Sequence, residues 1–425
     1  MKGLLRKGIH LEGDILAKLN VVHIRLVGLG IDPHLGEILR DRKNGWRLQG
    51  RRHGLYDIHI LRHNGAVDNE REGTPMKCRI VELSLATPLL TSLLLTTLLT
   101  WSKPVIGQES PVLSLESHIS LPNVKGRIDH LSVDVKGERL FVAAVENHTV
   151  EVINLKSGQR VHTITDLAEP QGVFYEAATN RLFVACGLDG VVKVFDGTTF
   201  QGLTTVKFPD DADNIRYDAR SKSVIVGYAG AKQLRKREEG TGGLGFLDSK
   251  GKRLADVVID AHPESFRLEE TGTRLFVNVP EKKEIEVVDV AQRAVLARWP
   301  VSTAENNFPM ALDEAHHRLF VGGWVPPRLL IFDTEAGKEV ASVEIAGKTD
   351  DLFYDSERRR IYVLTNVGVL EAFEQKDPDH YAGVARYPTP VGTQTGLFVP
   401  EWGKLFAAVR KQGEQDAEIR VYQAH

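Results

Sequence analysis

The sequence predicts an all-β fold: a seven-bladed β-propeller closed by an N-terminal strand and preceded by a signal or anchor segment. Three observations carry this. A four-residue phrase recurs down the chain, as Arg139-Leu140-Phe141-Val142, Arg181-Leu182-Phe183-Val184, Arg274-Leu275-Phe276-Val277 and Arg318-Leu319-Phe320-Val321. Looser copies stand at Ser223-Val224-Ile225-Val226, Arg360-Ile361-Tyr362-Val363 and Lys404-Leu405-Phe406-Ala407, so the copies are 42, 42, 51, 44, 42 and 44 residues apart. A period of about 40–45 residues built from short strands is the signature of a propeller blade. Turn signals fall between the copies at matching places, and an apolar alternating segment ahead of the first copy fits a gap after the last.

Each copy is the second strand of a blade. In the first blade, residues 128–134 read as the inner strand, 139–145 as the second, 149–154 as the third and 161–164 as the fourth, with turns at Lys136-Gly137 and Lys156-Ser157-Gly158. Seven copies give seven blades. The last blade reaches only a third strand at Ile419-Arg420-Val421-Tyr422, and residues 112–121 read as its missing fourth. Closing the ring this way leaves no unpaired strand edge. An acid stands five residues before the arginine column, at Asp134, Glu176, Asp218, Glu269, Asp313 and Asp355. These acids read as turn-formers that accept backbone N–H groups.

The repeat resembles the YVTN-type β-propeller family, in Ile361-Tyr362-Val363-Leu364-Thr365-Asn366 and in Thr149-Val150-Glu151-Val152-Ile153-Asn154-Leu155-Lys156-Ser157-Gly158. The resemblance covers residues 127–425. It implies an exported or surface propeller whose repeat carries no catalytic residue. No Trp-Asp pair ends the third strands, which disfavours the WD40 variety.

Ahead of the propeller the composition changes twice. Residues 1–75 are rich in Arg, His and Gly and hold no copy of the repeat; they read as a spurious or disordered extension. From Met76 a short basic start leads into an uncharged run, residues 83–102, and then Val105-Ile106-Gly107-Gln108-Glu109. This is the layout of a secretory signal over 76–108, which places the propeller at 109–425 in the periplasm or outside the cell; an uncleaved membrane anchor is the other reading. Cys186 reads as an apolar core residue, and with Cys78 inside the signal no intramolecular disulfide is expected. A net charge of −3 gives no bulk attraction to nucleic acid or anionic lipid.

Functional residues on propellers collect where the inner strands begin, at one mouth of the channel. Aligned on their closing turns, the inner strands open with Asp129, Gln171, Asp213, Glu264, Phe308, Asp350 and Thr395, followed by His130, Gly172, Asn214, Ser265, Pro309, Asp351 and Gly396. A third column, Leu131, Val173, Ile215, Phe266, Met310, Leu352 and Leu397, is apolar and reads as packing between blades. Four carboxylates, Asp129, Asp213, Glu264 and Asp350, thus face one ring, with His130, His262, Asp351, Arg127, Arg216 and Arg267 beside them. Crowded acids need a cation, arginine partners or raised pKa values. Three readings stay open: an arginine–carboxylate network that ties the blades together, a ligand funnel, and a divalent-cation site on the four carboxylates that could activate water as in propeller hydrolases and lactonases.

Two loops on the same face add candidates. The long gap of the third blade holds Lys232-Gln233-Leu234-Arg235-Lys236-Arg237-Glu238-Glu239, which reads as a solvated loop, a lid or a basic arm. Trp324 stands on the matching loop of the fifth blade, placed to stack on a ligand or on its neighbour. No nucleophile elbow, His-Glu-x-x-His, Walker loop or CxxC pair occurs. The favoured reading is a binding scaffold for a small molecule, peptide or protein, whose ligand contacts are Asp129, His130, Gln171, Asp213, Asn214, His262, Glu264, Asp350, Asp351 and Trp324. A metal-dependent hydrolase is the alternative. Nucleic-acid binding through the basic loop is opposed by the acidic mouth.

Overall fold

The computed structural model describes residues 111–230 and 241–425, together with the backbone of three short strands nearer the N-terminus. Those three, Val21–Leu26, Trp46–Arg47 and Tyr56–Arg62, form an antiparallel sheet with Tyr56–Arg62 in the middle. The signal or anchor segment at 76–108 lies outside the described residues, as do residues 232–239 of the third-blade loop.

Residues 113–424 form seven four-stranded antiparallel sheets, the blades of a propeller. Blade 1 runs Ile128–Asp134, Arg139–Ala144, Thr149–Asn154 and Gln159–Ile164 from the channel outward. Blades 2 to 6 repeat that order, starting from inner strands Pro170–Glu176, Asp210–Asp218, Phe266–Leu268, Met310–Asp313 and Leu352–Asp355. In blade 7, Thr395–Val399, Lys404–Val409 and Ala417–Ala424 are completed by Leu113–Leu121, paired antiparallel from Ala417↔Leu121 to Ala424↔Leu113. The two ends of the propeller segment meet beside this seam: His425 N–H donates to the Val112 carbonyl at 3.2 Å, and the His425 ring meets Ser114 Oγ at 2.7 Å.

The recurrent phrase has a physical cause. Each second strand is covered on both faces by neighbouring blades, so Leu140, Phe141 and Val142 are all fully buried, as are Leu182, Phe183 and Val184. A strand covered on both faces reads as an unbroken apolar run. Seven apolar clusters fill the seven blade junctions. One joins Phe141 of blade 1 to Leu182 of blade 2, and another closes the ring with Leu121 and Ile419 of blade 7 against Ile128 and Leu140 of blade 1. Cys186 is fully buried in the first of these, and burial pushes its thiol up to about 11.

The arginine that opens the phrase stands directly opposite the acid of the preceding strand, as in Asp134↔Arg139 and Asp355↔Arg360. Asp134 accepts from Gly137 N–H at 2.9 Å and from Arg139 Nη2 at 2.8 Å, tying the turn to the strand it launches. Glu269 and Arg274 repeat the pair. Arg318 instead meets Asp333 and Asp379, both at 2.8 Å, and leaves Asp313 to His316 and Gln375.

Register corrects one expectation. The apolar third column pairs with the valine of the phrase, as in Leu131↔Val142, Ile215↔Val226 and Leu352↔Val363. In blade 7 the residue at that position is Gly396, opposite Ala407, and Leu397 is one step further on. The mouth columns of blade 7 are therefore Gln394 and Thr395, not Thr395 and Gly396. Elsewhere an acid marks the end of the inner strand; here Val399 stands in its place, opposite Lys404, so the marker that sets the register is missing.

Candidate functional site: the channel mouth

The inner strands bring the expected acids together at one end of the channel. Asp129 and Asp213 are 4% and 6% exposed, so these carboxylates are removed from bulk water. Asp351 and Asn214 are buried beside them, while Glu264 and Asp350 keep partial exposure. Asp211, absent from the sequence reading, joins the ring from the same strand as Asp213. Gln394 joins it from the corrected register of blade 7, and its side-chain amide donates to Asp350 Oδ2.

Part of the ring is a network. Arg127 Nη2 lies 3.1 Å from Asp129 Oδ2 and donates to Gln171 Oε1 at 2.9 Å; Gln171 in turn donates to Asp211 Oδ1 at 2.8 Å. His130 stands between Asp129 at 3.9 Å and Asp351 at 3.5 Å. His262 Nδ1 lies 3.9–4.0 Å from Glu264 and Asp211. Asp351 accepts from Gly396 N–H at 2.9 Å. Among the described residues Arg216 and Arg267, also candidates for this network, make no close ion pair in it: each donates to the carbonyl of the residue before it, Ile215 at 2.7 Å and Phe266 at 3.2 Å, and feels Asp351 only at longer range.

Among the described residues, three buried polar atoms at the mouth have no hydrogen-bond partner: Asp213 Oδ1, Asn214 Oδ1 and His262 Nε2. Such atoms are uncommon and costly in a folded protein. The electrostatics agree. Burial, and then the charge of Asp129, raise the pKa of Asp213. Burial and the charges of Asp213 and Asp350 lift Glu264 well above the carboxylate range. Asp350 is pushed up to about 7 by burial, with Asp129 and Asp351 adding to it. For His130 burial acts downward, but Asp129 and Asp351 outweigh it and raise the imidazolium to about 9. Near neutral pH the mouth thus holds a charged His130 and an Asp350 poised to ionise.

The four carboxylates named as metal ligands are spread round the axis. Oxygen ligands of one divalent ion sit roughly 2.0–2.6 Å from it, and so within about 5 Å of one another. Among the described residues, the carboxylates that come within 4.8 Å of one another as a group of three are Asp260, Glu284 and Glu286, at the junction of blades 3 and 4. There Arg298 Nε already lies 2.8 Å from Asp260 and 3.8–3.9 Å from the other two.

Trp324 is packed: its ring stacks on Phe308 at 4.1 Å, its Nε1–H donates to the Thr349 carbonyl at 2.7 Å, and Lys348 Nζ lies 5.0 Å from the ring centre. Gly172 in the second column shows why no side chain stands there, since a Cβ would fall 2.0 Å from the Asp213 carbonyl oxygen. Gly172→Ala is therefore expected to push the strand that carries Asp213, costing about 1–3 kcal/mol as an overpacked site does. Chemical denaturation checks this; a midpoint within error of wild type would show that the contact is soft.

No family model and no curated protein matches the sequence. Among solved structures, a chain of a mitotic checkpoint complex superposes with a TM-score of 0.62 at 12% identity, over 82% of this chain and 100% of that one. At that identity the likeness is one of fold, and 1658 solved chains share it, so shape does not select among functions. The chain is an all-β, seven-bladed propeller.

Proposed function

We propose that this chain is an exported, YVTN-like propeller scaffold whose acidic channel mouth binds the cationic group of a small molecule, peptide or protein partner. The observation that carries the reading is Asp213, 6% exposed, with one carboxylate oxygen that has no donor among the described residues. It stands in a ring with Asp129, Asp211, Glu264, Asp350 and Asp351. A bound cation supplies the missing donor and offsets the burial and mutual repulsion that hold Glu264 and Asp350 above their usual range. The spread of these carboxylates suits an ammonium or guanidinium better than a single divalent ion, and so favours binding over metal-dependent hydrolysis. Thermal shifts with alkylamines and with divalent cations, joined to elemental analysis of the purified protein, test this. Stabilisation by amines is the expected result. A stoichiometric metal would turn the reading to the hydrolase, and no response to any cation would remove it.

Export rests on the basic start at Met76, the uncharged run of 83–102 and the small residues before Gln108. The expected mature N-terminus is near Gln108. N-terminal sequencing of protein from its native host checks this, and a mature chain that keeps residues before Met76 would contradict it.

A further inference from the structure

We propose that the channel takes a small zwitterion, with its ammonium or guanidinium at the carboxylate ring and its carboxylate or phosphate on Arg216 and Arg267. The inference rests on the cationic reading of the mouth and adds the second charge. Arg216 and Arg267 each follow a mouth acid, Asp213 and Glu264, by three residues. At the rise of extended chain, about 3.3 Å per residue, they lie at most roughly 10 Å further along the channel wall. They occupy the same position on adjacent blades. At that position the other inner strands carry Ser132, Phe174, Ala311, Phe353 and Leu397, so no acid of that ring is available to pair with them.

Most arginines of the propeller are paired with acids, though Arg359 and Arg360 bond to backbone carbonyls instead. Arg139, Arg274, Arg318, Arg358 and Arg420 each lie within 4.0 Å of a carboxylate oxygen. Among the described residues neither Arg216 nor Arg267 does, and each makes a single side-chain hydrogen bond, to the carbonyl of the residue before it. A guanidinium carries five N–H donors in a planar fork, and two forks side by side match a carboxylate or phosphate. Phe266, whose ring centre lies 5.7 Å from the Arg216 guanidinium, backs one of them. Burial lowers the pKa of both and the charge of Arg216 lowers that of Arg267 further, while Asp351 acts upward on both and Asp213 on Arg216 without reversing the direction, so an anion between them offsets what remains of the burial cost. The acids above supply the opposite field, which fits a ligand bearing both charges on a short chain.

The test compares 4-aminobutanoate and O-phosphoethanolamine with butylamine and butanoate by calorimetric titration of the full chain. At least one zwitterion is expected to bind roughly tenfold or more tighter than butylamine. Arg267→Gln is expected to erase that preference and leave butylamine binding unchanged. An unpaired guanidinium adds little to the fold, so this variant should melt no lower than wild type; should it unfold, Arg267→Lys, which keeps the charge and loses the fork, carries the same comparison. If butylamine binds as tightly as both zwitterions, or if the preference survives the substitution, the second charge is wrong and the cationic mouth stands. If butanoate binds and butylamine does not, the cationic mouth falls and takes the zwitterion with it. If none of the four binds, both readings fail.

Discussion

A chain that begins at Gly126 is expected to lose about 5 kcal/mol or more of stability relative to one that begins at Ser110. The difference between them is the strand Leu113–Leu121, the outer strand of the last blade. Its Leu113, Ile119 and Leu121 are at most 4% exposed, and Val124 just beyond is fully buried. Each such side chain contributes roughly 1.5–3 kcal/mol by burial. Leu113 packs with Tyr362, Phe398 and Leu405 at the junction of blades 6 and 7, whereas Ile119 and Leu121 pack with Leu140 and Phe406 at the junction of blades 7 and 1. The deletion therefore opens two junctions and exposes the edge of Ala417–Ala424. A loss of this size approaches the whole stability of an ordinary domain. Urea denaturation of the two chains checks it. Equal midpoints would mean that the ring closes without this strand.

How much of this was legible in the sequence follows from what each residue is for. The second strands announce themselves because both faces are buried, so Leu182, Phe183 and Val184 leave no room for a polar alternation. The closing strand was legible for the opposite reason: it alternates, with Ile119 buried between exposed His118 and Ser120. Where a local marker failed, register failed with it, and Val399 in place of an acid shifted the seventh blade by one residue. At the mouth, Asp129, Asp213, Glu264 and Asp350 could be read as a column because the repeat fixes their height. Asp211 and Gln394 could not. Asp211 lies off the column and joins through Gln171, and Gln394 depends on the corrected register. Nor could the sequence say that Arg127 pairs while Arg216 and Arg267 do not. All three precede or follow an acid closely, but Arg127 reaches Asp129 and Gln171 of the next blade, whereas Arg216 and Arg267 turn back to the carbonyls of Ile215 and Phe266. Trp324 was expected on a loop, but it ends the second strand of blade 5, and its packing rests on Phe308 just ahead of the inner strand of the same blade.

The double variant Asp213→Asn with Asp350→Asn is expected to abolish the stabilisation given by a cationic ligand, while the unliganded protein melts at or above the wild-type temperature at pH 8. The sign follows from the raised pKa values. Asp350 titrates near 7 in the folded chain against an ordinary 3.8, so the folded state holds its proton longer. That contribution favours folding at low pH and is lost as pH rises from about 4 through 7; above 7 the ionised group is a net cost, on the order of 1–4 kcal/mol. Asp213 is shifted in the same direction, by burial first and then by Asp129. Asparagine keeps the shape and removes the cost. His130 works against this, since its stabilising charge is full below pH 6.5 and is lost through about 9, and removing Asp213 withdraws part of what holds that charge. The gain is therefore expected to be clearer at pH 8 than at pH 5.5. For the wild type, butylamine should bind more tightly at pH 8 than at pH 5.5, because Asp350 must ionise to receive it. Thermal melts of both proteins at the two pH values, with and without butylamine, decide the matter. If the variant melts lower by the roughly 1–3 kcal/mol of a broken buried network and no amine shifts the wild type, the carboxylates are holding blades together and the binding reading is lost.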